Sequence, residues 1–247
     1  MLVVIPSRGR AGKMRVMEKM PRTQLVVVVV PKDEQQDYER AYRKLGTSNV
    51  HVVGLAYNNI GDKRQWILDA YGSTPLVMLD DDLRFRVRED GKHFRAAETE
   101  DVAAMLKKIE HLLTDYVHVS IADEFMCQHN PPGLKVGGRY NQVLAYNFAN
   151  LTNPKQKRPR FRLAINEEHD VNIQLCQMGH RPRILTDYTK GSKYNAVGGC
   201  STWRTPEFEL EQFEEFARLW PDVVTIRNGG SNLCGKTVRV NWRRACR

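Results

Sequence analysis

Short apolar runs alternate with amphipathic stretches through the first third of the chain. The runs 2–6, 25–30, 50–55 and 76–79 are rich in Val and Leu and are bounded by Pro, Gly or Asn. Continuous apolar segments of this length mark strands buried on both faces, as in a parallel sheet. Between them, 33–45 sets Tyr38, Ala41, Tyr42 and Leu45 at helical spacing and stops at Gly46. Met14, Met17 and Met20 suggest a short first helix, and 62–70, closed by Gly72, suggests a third. The order βαβαβαβ predicts a doubly wound sheet with right-handed crossovers.

The remainder is less regular. An amphipathic helix is predicted over 100–116, with Val102, Met105, Leu106, Ile109, Leu112 and Leu113 on one face, followed by a strand over 117–122. The segment 127–141 has two prolines, three glycines and no periodicity, so it is expected to be a long loop or a lid that moves on substrate binding. Helical spacing returns over 167–178 through Val171, Leu175 and Met178 and ends at Gly179. Thr205 and Pro206 form an N-cap and first-turn proline for a helix reaching Trp220. With no internal repeat, the chain reads as one α/β domain over 1–247 with an elaborated C-terminal half.

Composition narrows this picture. With 41% hydrophobic and 27% charged residues in 247, the chain is globular and buries a core. The longest aliphatic run, 25–30, ends at Pro31, far short of the roughly 20 residues that span a bilayer. The start has neither a basic n-region nor a small-residue cleavage site, so a cytoplasmic protein without a secretory signal is expected. Cys127, Cys176, Cys200, Cys234 and Cys246 are far apart and contain no CxxC pair, which predicts free thiols in a reducing compartment. Lys and Arg number 38 against 29 Asp and Glu, a net charge of +9. That excess suits an acidic partner, nucleic acid being the commonest, and equally a merely solvated basic surface.

Ligands of a doubly wound sheet bind beyond the carboxyl ends of its strands. There the sequence places Pro6, Ser7, Arg8, Gly9 and Arg10 after the first strand, the stretch from Tyr57 to Arg64 after the third, and Asp80, Asp81 and Asp82 after the fourth. Three adjacent carboxylates repel one another unless a cation neutralises them. A hard divalent ion, Mg²⁺ or Mn²⁺, takes its oxygens from one or two carboxylates and a substrate diphosphate. Strand alternation would set Asp80 and Asp82 on one side as ligands and Asp81 on the other. The plainer alternative is a solvated acidic turn. Lys63 and Arg64 open a helix just after Asn59, where free N–H groups and two cations would suit an anion, although they also fit an ordinary charged first turn.

A strand ending IPSRGR, a helix opening IGDKRQWIL and a strand ending VMLDDD together resemble the glycosyltransferases of the GT-A fold. The small size, the basic charge and the later segment NEEHDVNIQLCQMGH resemble the phage-type DNA glycosyltransferases that accompany TET/JBP-like hydroxylases. The resemblance covers about Met1 to Gly179. It implies a Rossmann-like α/β sandwich whose mostly parallel central sheet is flanked by helices, with 1–90 binding nucleotide sugar and metal and 91–247 binding the acceptor. By the same resemblance Asp82 would ligate Mn²⁺ or Mg²⁺, and Asp80 would share the metal or contact the ribose. Arg8, Lys63 and Arg64 would hold uracil or diphosphate, and Pro6 and Ser7 would line the nucleotide pocket, with Arg10, Asn59 and Asp81 grouped beside them. The implied reaction moves a hexose, glucose from UDP-glucose, onto 5-hydroxymethylcytosine or another hydroxymethylated pyrimidine in DNA, in the host cytoplasm if the chain is phage-encoded.

An inverting transfer needs a carboxylate to take the acceptor's proton, and Asp170 or Glu168 is the choice, with Glu167 also open. Acidic residues at a helix start also simply complement its dipole. His180, the only later histidine, leaves a third metal ligand unassigned, and Lys190 and Lys193 read as a solvent-exposed turn or as cations for the diphosphate. For DNA, Arg84, Arg86 and Arg88 alternate, and Lys157, Arg158 and Arg160 lie in a second basic run near Tyr146, Phe148 and Phe161, aromatic candidates for a flipped base. Further arginines, Arg239, Arg243, Arg244 and Arg247, cluster near the end. Alternatives are a transferase acting on a glycan or small molecule, a metal-dependent nuclease, and a non-catalytic nucleic-acid-binding protein.

Overall fold

A computed structural model describes residues 1–57, 59–127, 129–153, 155–192 and 204–247, the side chains of 126 and 127 excepted. Asn58, Lys193, Cys200 and the Cys127 side chain therefore lie outside the described residues. The chain opens with β1 (Leu2–Pro6), β2 (Val26–Pro31), α1 (Gln35–Lys44), β3 (Val50–Leu55), α2 (Ile60–Tyr71) and β4 (Leu76–Leu79). A hairpin of β5 (Arg84–Asp90) and β6 (His93–Ala96) leads to α3 (Thr99–Leu112), β7 (His118–Asp123) and the single turn α4 (Glu124–Cys127). Then come β8 (Leu134–Val136), β9 (Val143–Tyr146), α5 (Glu167–Gln177) and β10 (Arg183–Gly191). The last elements are α6 (Pro206–Leu219), β11 (Val224–Asn228), β12 (Lys236–Val240) and α7 (Trp242–Ala245).

The main sheet runs β3-β2-β1-β4-β9-β7-β10-β5-β6, with β8 paired to β10. β1 to β4 are mutually parallel, β9 enters antiparallel between β4 and β7, and β7 and β10 are again parallel. Strand alternation divides the core in two. Val3, Ile5, Val26, Val28, Val30, Val77 and Leu79 face one side, beneath α1 and α3. Val4, Val27, Val29, Leu76 and Met78 face the other, beneath α2 and α5. Both faces being covered, the strands read as unbroken apolar runs.

Several sequence expectations are corrected. The predicted first helix is a 3-10 turn, Arg15–Met17, bracketed by Gly12 in the left-handed region and by Pro21, too short a stretch to nucleate an α-helix. Part of the expected lid is β8, whose backbone pairs with Arg183 to Leu185. Tyr146, Phe148 and Phe161 are core residues rather than a stacking surface. Cys176 and Cys246 are joined in a disulfide, a pairing across 70 residues that spacing alone could not reveal, while Cys234 is a free, half-buried thiol. Among the described residues no helix is long and apolar enough to cross a membrane.

His118, at the start of β7, is 1% exposed, with Nδ1 2.9 Å from the Tyr140 hydroxyl and Nε2 2.7 Å from the His180 carbonyl. A carbonyl only accepts, so Nε2 donates and Nδ1 accepts from Tyr140. Burial holds the ring neutral, down to about 3. The folded value lies below the unfolded value of about 6.5, so this contribution is complete above pH 6.5 and is lost as pH falls towards 3. Thermal melts between pH 7 and 4 are expected to show a steeper loss of Tm in the native chain than in His118→Gln.

Candidate active site

The end of β1 is tied down from three directions. Ser7 is 2% exposed; its hydroxyl is 2.7 Å from that of Tyr38 and donates to Asp81. The Arg10 backbone N–H donates to Tyr38 at 2.9 Å, and the Arg10 guanidinium holds Asp81 and lies 3.4 Å from Asp82. Lys63, 2% exposed, donates to the Ser7 carbonyl at 2.8 Å and sits 4.2 Å over the Tyr57 ring. Burial pushes Tyr38 up to about 12, which keeps this hydroxyl chain neutral. Pro6 and Ser7 are thus buried and do not line an open pocket, and Asn59 caps α2 by accepting from the Asp62 N–H at 3.0 Å.

Arg64, one residue on, is the centre of the site. Its side chain, 3% exposed, reaches Asp80 at 2.6 Å, Glu168 at 2.7 Å and Glu167. The end of β4 and the start of α5 therefore meet on one guanidinium. Gly61 makes this possible, because a Cβ there would lie 2.1 Å from the Leu163 carbonyl. Gln142 adds a backbone stitch: its N–H donates to Glu168 at 2.9 Å and its carbonyl accepts from the Asp80 N–H at 3.0 Å. It does so in the left-handed region, φ 60, as does Asn166, φ 63, just before α5. Two such non-glycine residues flanking one cluster are strain that the surrounding contacts must hold.

One cation facing three carboxylates leaves an excess of negative charge. Burial raises Asp80 to about 7 against the pull of Arg64, with Glu168, Asp82 and Asp81 adding to the rise. Burial likewise raises Glu167 to about 8, again opposed by Arg64, and raises Asp82 against Arg10. The expected alternation of the three aspartates does not hold, because β4 ends at Leu79 and a turn follows. Asp81 is consumed by Ser7 and Arg10, whereas the Asp80 and Asp82 side chains keep 26% and 20% exposure. Among the described residues no three His, Cys, Asp or Glu converge as a self-sufficient metal site. Asp80 and Asp82 fit a divalent ion that draws its other oxygens from a diphosphate, the usual habit of Mg²⁺.

The candidate bases separate. Asp170 is fully buried and accepts from Arg162 at 2.5 and 3.0 Å, from the Trp220 indole at 2.8 Å and from Gln174 at 3.0 Å. Its lone pairs are taken up by packing partners. Glu168 stays 14% exposed beside Asp80. Lys190, read from sequence as an exposed turn or a diphosphate cation, is buried in β10 and donates to Asp123 at 2.7 Å and to the Ile121 carbonyl at 3.0 Å. A register break in β10 between Leu185 and Thr189 brings it beside the end of β7. His180 turns away, 3.3 Å from Gln156.

Beyond β1, β2 and β3 opens a cleft of about 840 Å³ lined by Arg8, Pro31, Lys32, Tyr57 and Trp66 among others. Lys32 and Trp66 were missed by the sequence reading; their only signal is position, just after β2 and in the second turn of α2. Of the cations assigned to DNA, Arg84, Lys157, Arg158 and Arg160 are exposed. Arg86 pairs with Glu124 at 2.7 Å, and Arg88 donates to the Thr186 and Asn130 carbonyls.

The family model described as TET-Associated Glycosyltransferase matches residues 1–199. The Beta-glucosyl-HMC-alpha-glucosyl-transferase of Enterobacteria phage T6 is 24% identical over 229 residues, spanning 89% of this chain and 81% of its own length. Among solved structures, residues 1–349 of S. aureus TarS in complex with UDP-GlcNAc align with a TM-score of 0.51 at 15% identity. That alignment covers 88% of this chain and 65% of the TarS fragment. The likeness is one of fold, and it agrees with the GT-A-type sandwich expected from the sequence.

Arg64→Leu strands buried carboxylates and is expected to cost about 3–5 kcal/mol in urea unfolding, part of which Glu167→Gln in the same chain restores. Gly61→Ala forces α2 off the Leu163 backbone and should cost about 1–3 kcal/mol by the same measurement.

Proposed function

The chain belongs to the TET-associated glycosyltransferase family, and from that premise we propose that it transfers glucose from UDP-glucose to a hydroxymethylated pyrimidine in DNA, with 5-hydroxymethylcytosine as the acceptor base. The observation that carries the reading is the meeting of Asp80 and Glu168 on Arg64, at the same strand edge as the Arg8–Trp66 cleft. On this proposal Asp80 is the donor-side acid and Glu168 the acceptor-side acid of one site. The T6 relative, named for a glucosyl transfer to a glucosylated HMC, supports the acceptor class.

In this reading Tyr57 and Trp66 offer aromatic faces to the uracil, while Arg8 and Lys32 face the phosphates across the cleft mouth. Asp80 and Asp82 would hold Mn²⁺ or Mg²⁺, which would supply positive charge for the departing diphosphate. Arg64 fixes the carboxylates around it, and Arg10 orients Asp82. Glu168, held by the Gln142 N–H and by Arg64, takes the proton from the acceptor hydroxymethyl group. The base has to leave the stack to reach it, so the acceptor is extruded from the duplex or single-stranded.

The test is mass spectrometry of nucleosides from 5-hydroxymethylcytosine DNA, and from its glucosylated form, after incubation with the protein, Mn²⁺ and a panel of nucleotide sugars. A hexose gain with UDP-glucose is expected. It should vanish in Asp82→Ala and fall by about 10²–10⁴-fold in kcat in Glu168→Gln. Sugar transfer confined to a glycan or small molecule, or DNA nicking with Mg²⁺, would overturn the acceptor assignment.

A further inference from the structure

We propose that the ribbon of β11 and β12, with the chain that follows it, is a docking surface for the phosphate backbone of duplex DNA. The proposal rests on the reading of DNA as acceptor and concerns a surface outside the 1–199 segment that the family model matches.

Charge is the first argument. Residues 223–247 include Arg227, Lys236, Arg239, Arg243, Arg244 and Arg247 and no Asp or Glu. The second argument is register. Thr225 lies opposite Arg239 and Arg227 opposite Thr237, so these four side chains share one face of the ribbon. Thr225, Arg227 and Arg239 are exposed there. The opposite face carries Val224, Val238 and Val240, which pack with Phe216 of α6 and Ile173 of α5. Among the described residues Arg244 has Asp222 at 3.3 Å, whereas Arg227 and Arg239 are not ion-paired. Arg227 and Arg239 are diagonal cross-strand neighbours, within reach of one bridging anion. Hydroxyl and guanidinium groups side by side are phosphate ligands, and two-stranded ribbons are an established way of meeting DNA.

Position is the third argument. The ribbon leads directly into α7, whose Trp242 ring lies 5.6 Å from that of His169, the residue after Glu168. The Cys176–Cys246 bond and a 2.9 Å hydrogen bond from Gln177 to the Ala245 carbonyl fasten α7 to the far end of α5. The ribbon that would carry DNA is therefore fastened to the same helix that carries Glu168.

The experiment compares the native chain, Arg227→Ala/Arg239→Ala and Arg227→Lys/Arg239→Lys. Binding to a fluorescent duplex is followed by anisotropy over a salt series, alongside transfer kinetics on hydroxymethylated DNA. The alanine pair is expected to lower affinity about tenfold, to reduce the slope of log K against log salt by about two, and to raise KM for DNA while leaving kcat in place. The lysine pair, keeping the charges, should recover most of the affinity. Circular dichroism melts establish that the variants are folded. Native-like affinity and salt slope in the alanine pair, while the native chain glucosylates DNA, would overturn the ribbon alone. A native chain that transfers sugar only to non-DNA acceptors would overturn the acceptor reading on which the ribbon rests.

Discussion

A single guanidinium surrounded by carboxylates from two distant parts of the chain sets the terms for the rest of this molecule. Arg64 is buried between Asp80, at the end of β4, and Glu167 and Glu168, at the start of α5. Taking such charges out of water is costly, and the cost is offset only where geometry is good and the remaining lone pairs are satisfied. Arginine suits the task because its planar fork donates in several directions at once and stays charged. Lysine in its place would reach one carboxylate and leave the others facing one another. The Gln142 backbone contributes further donor and acceptor groups, and accepts a left-handed conformation to do so.

That constraint explains why the surrounding elements come so close. α2 must approach the chain before α5 until only a glycine fits at position 61. Lys63, buried one residue before Arg64, is spent on the Ser7 carbonyl and so locks the end of β1 to the same helix. The ends of β1 and β4 and the start of α5 are in this way all tied to α2. The geometry that chemistry requires is supplied by the packing of the sheet edge rather than by loops.

α5 is covered on both sides. Val171 and Leu175 face the sheet, while Ile173 and Cys176 face the C-terminal elements. Asp170 belongs to the second side, where Arg162 and Trp220 take up its oxygens. Two carboxylates two residues apart on one helix therefore have separate fates. Glu168 keeps access to the site, whereas Asp170 joins the helix to the appendage that ends in the basic ribbon.

The sequence by itself determined β1 to β4 and β7, the major helices and the edge of the sheet where a site should lie. Unbroken Val and Leu runs can only be satisfied by burial on both faces, and the residues that follow such runs are confined to one end of the sheet. It also singled out Arg8, Arg10, Arg64, Asp80, Asp82 and Glu168, because motifs of charge beside apolar strands are local. Partnerships were another matter. That Arg64 serves three acids, that Asp81 goes to Ser7 and Arg10, that Lys190 is buried against Asp123, and that Cys176 meets Cys246 are decided by contacts between residues far apart in the chain. The turn after Leu79 likewise cancelled an alternation that would hold only while the strand continued. Periodicity reports how each residue faces its own element, and only the packing of one element on another decides which charges are paired and which are left for a ligand.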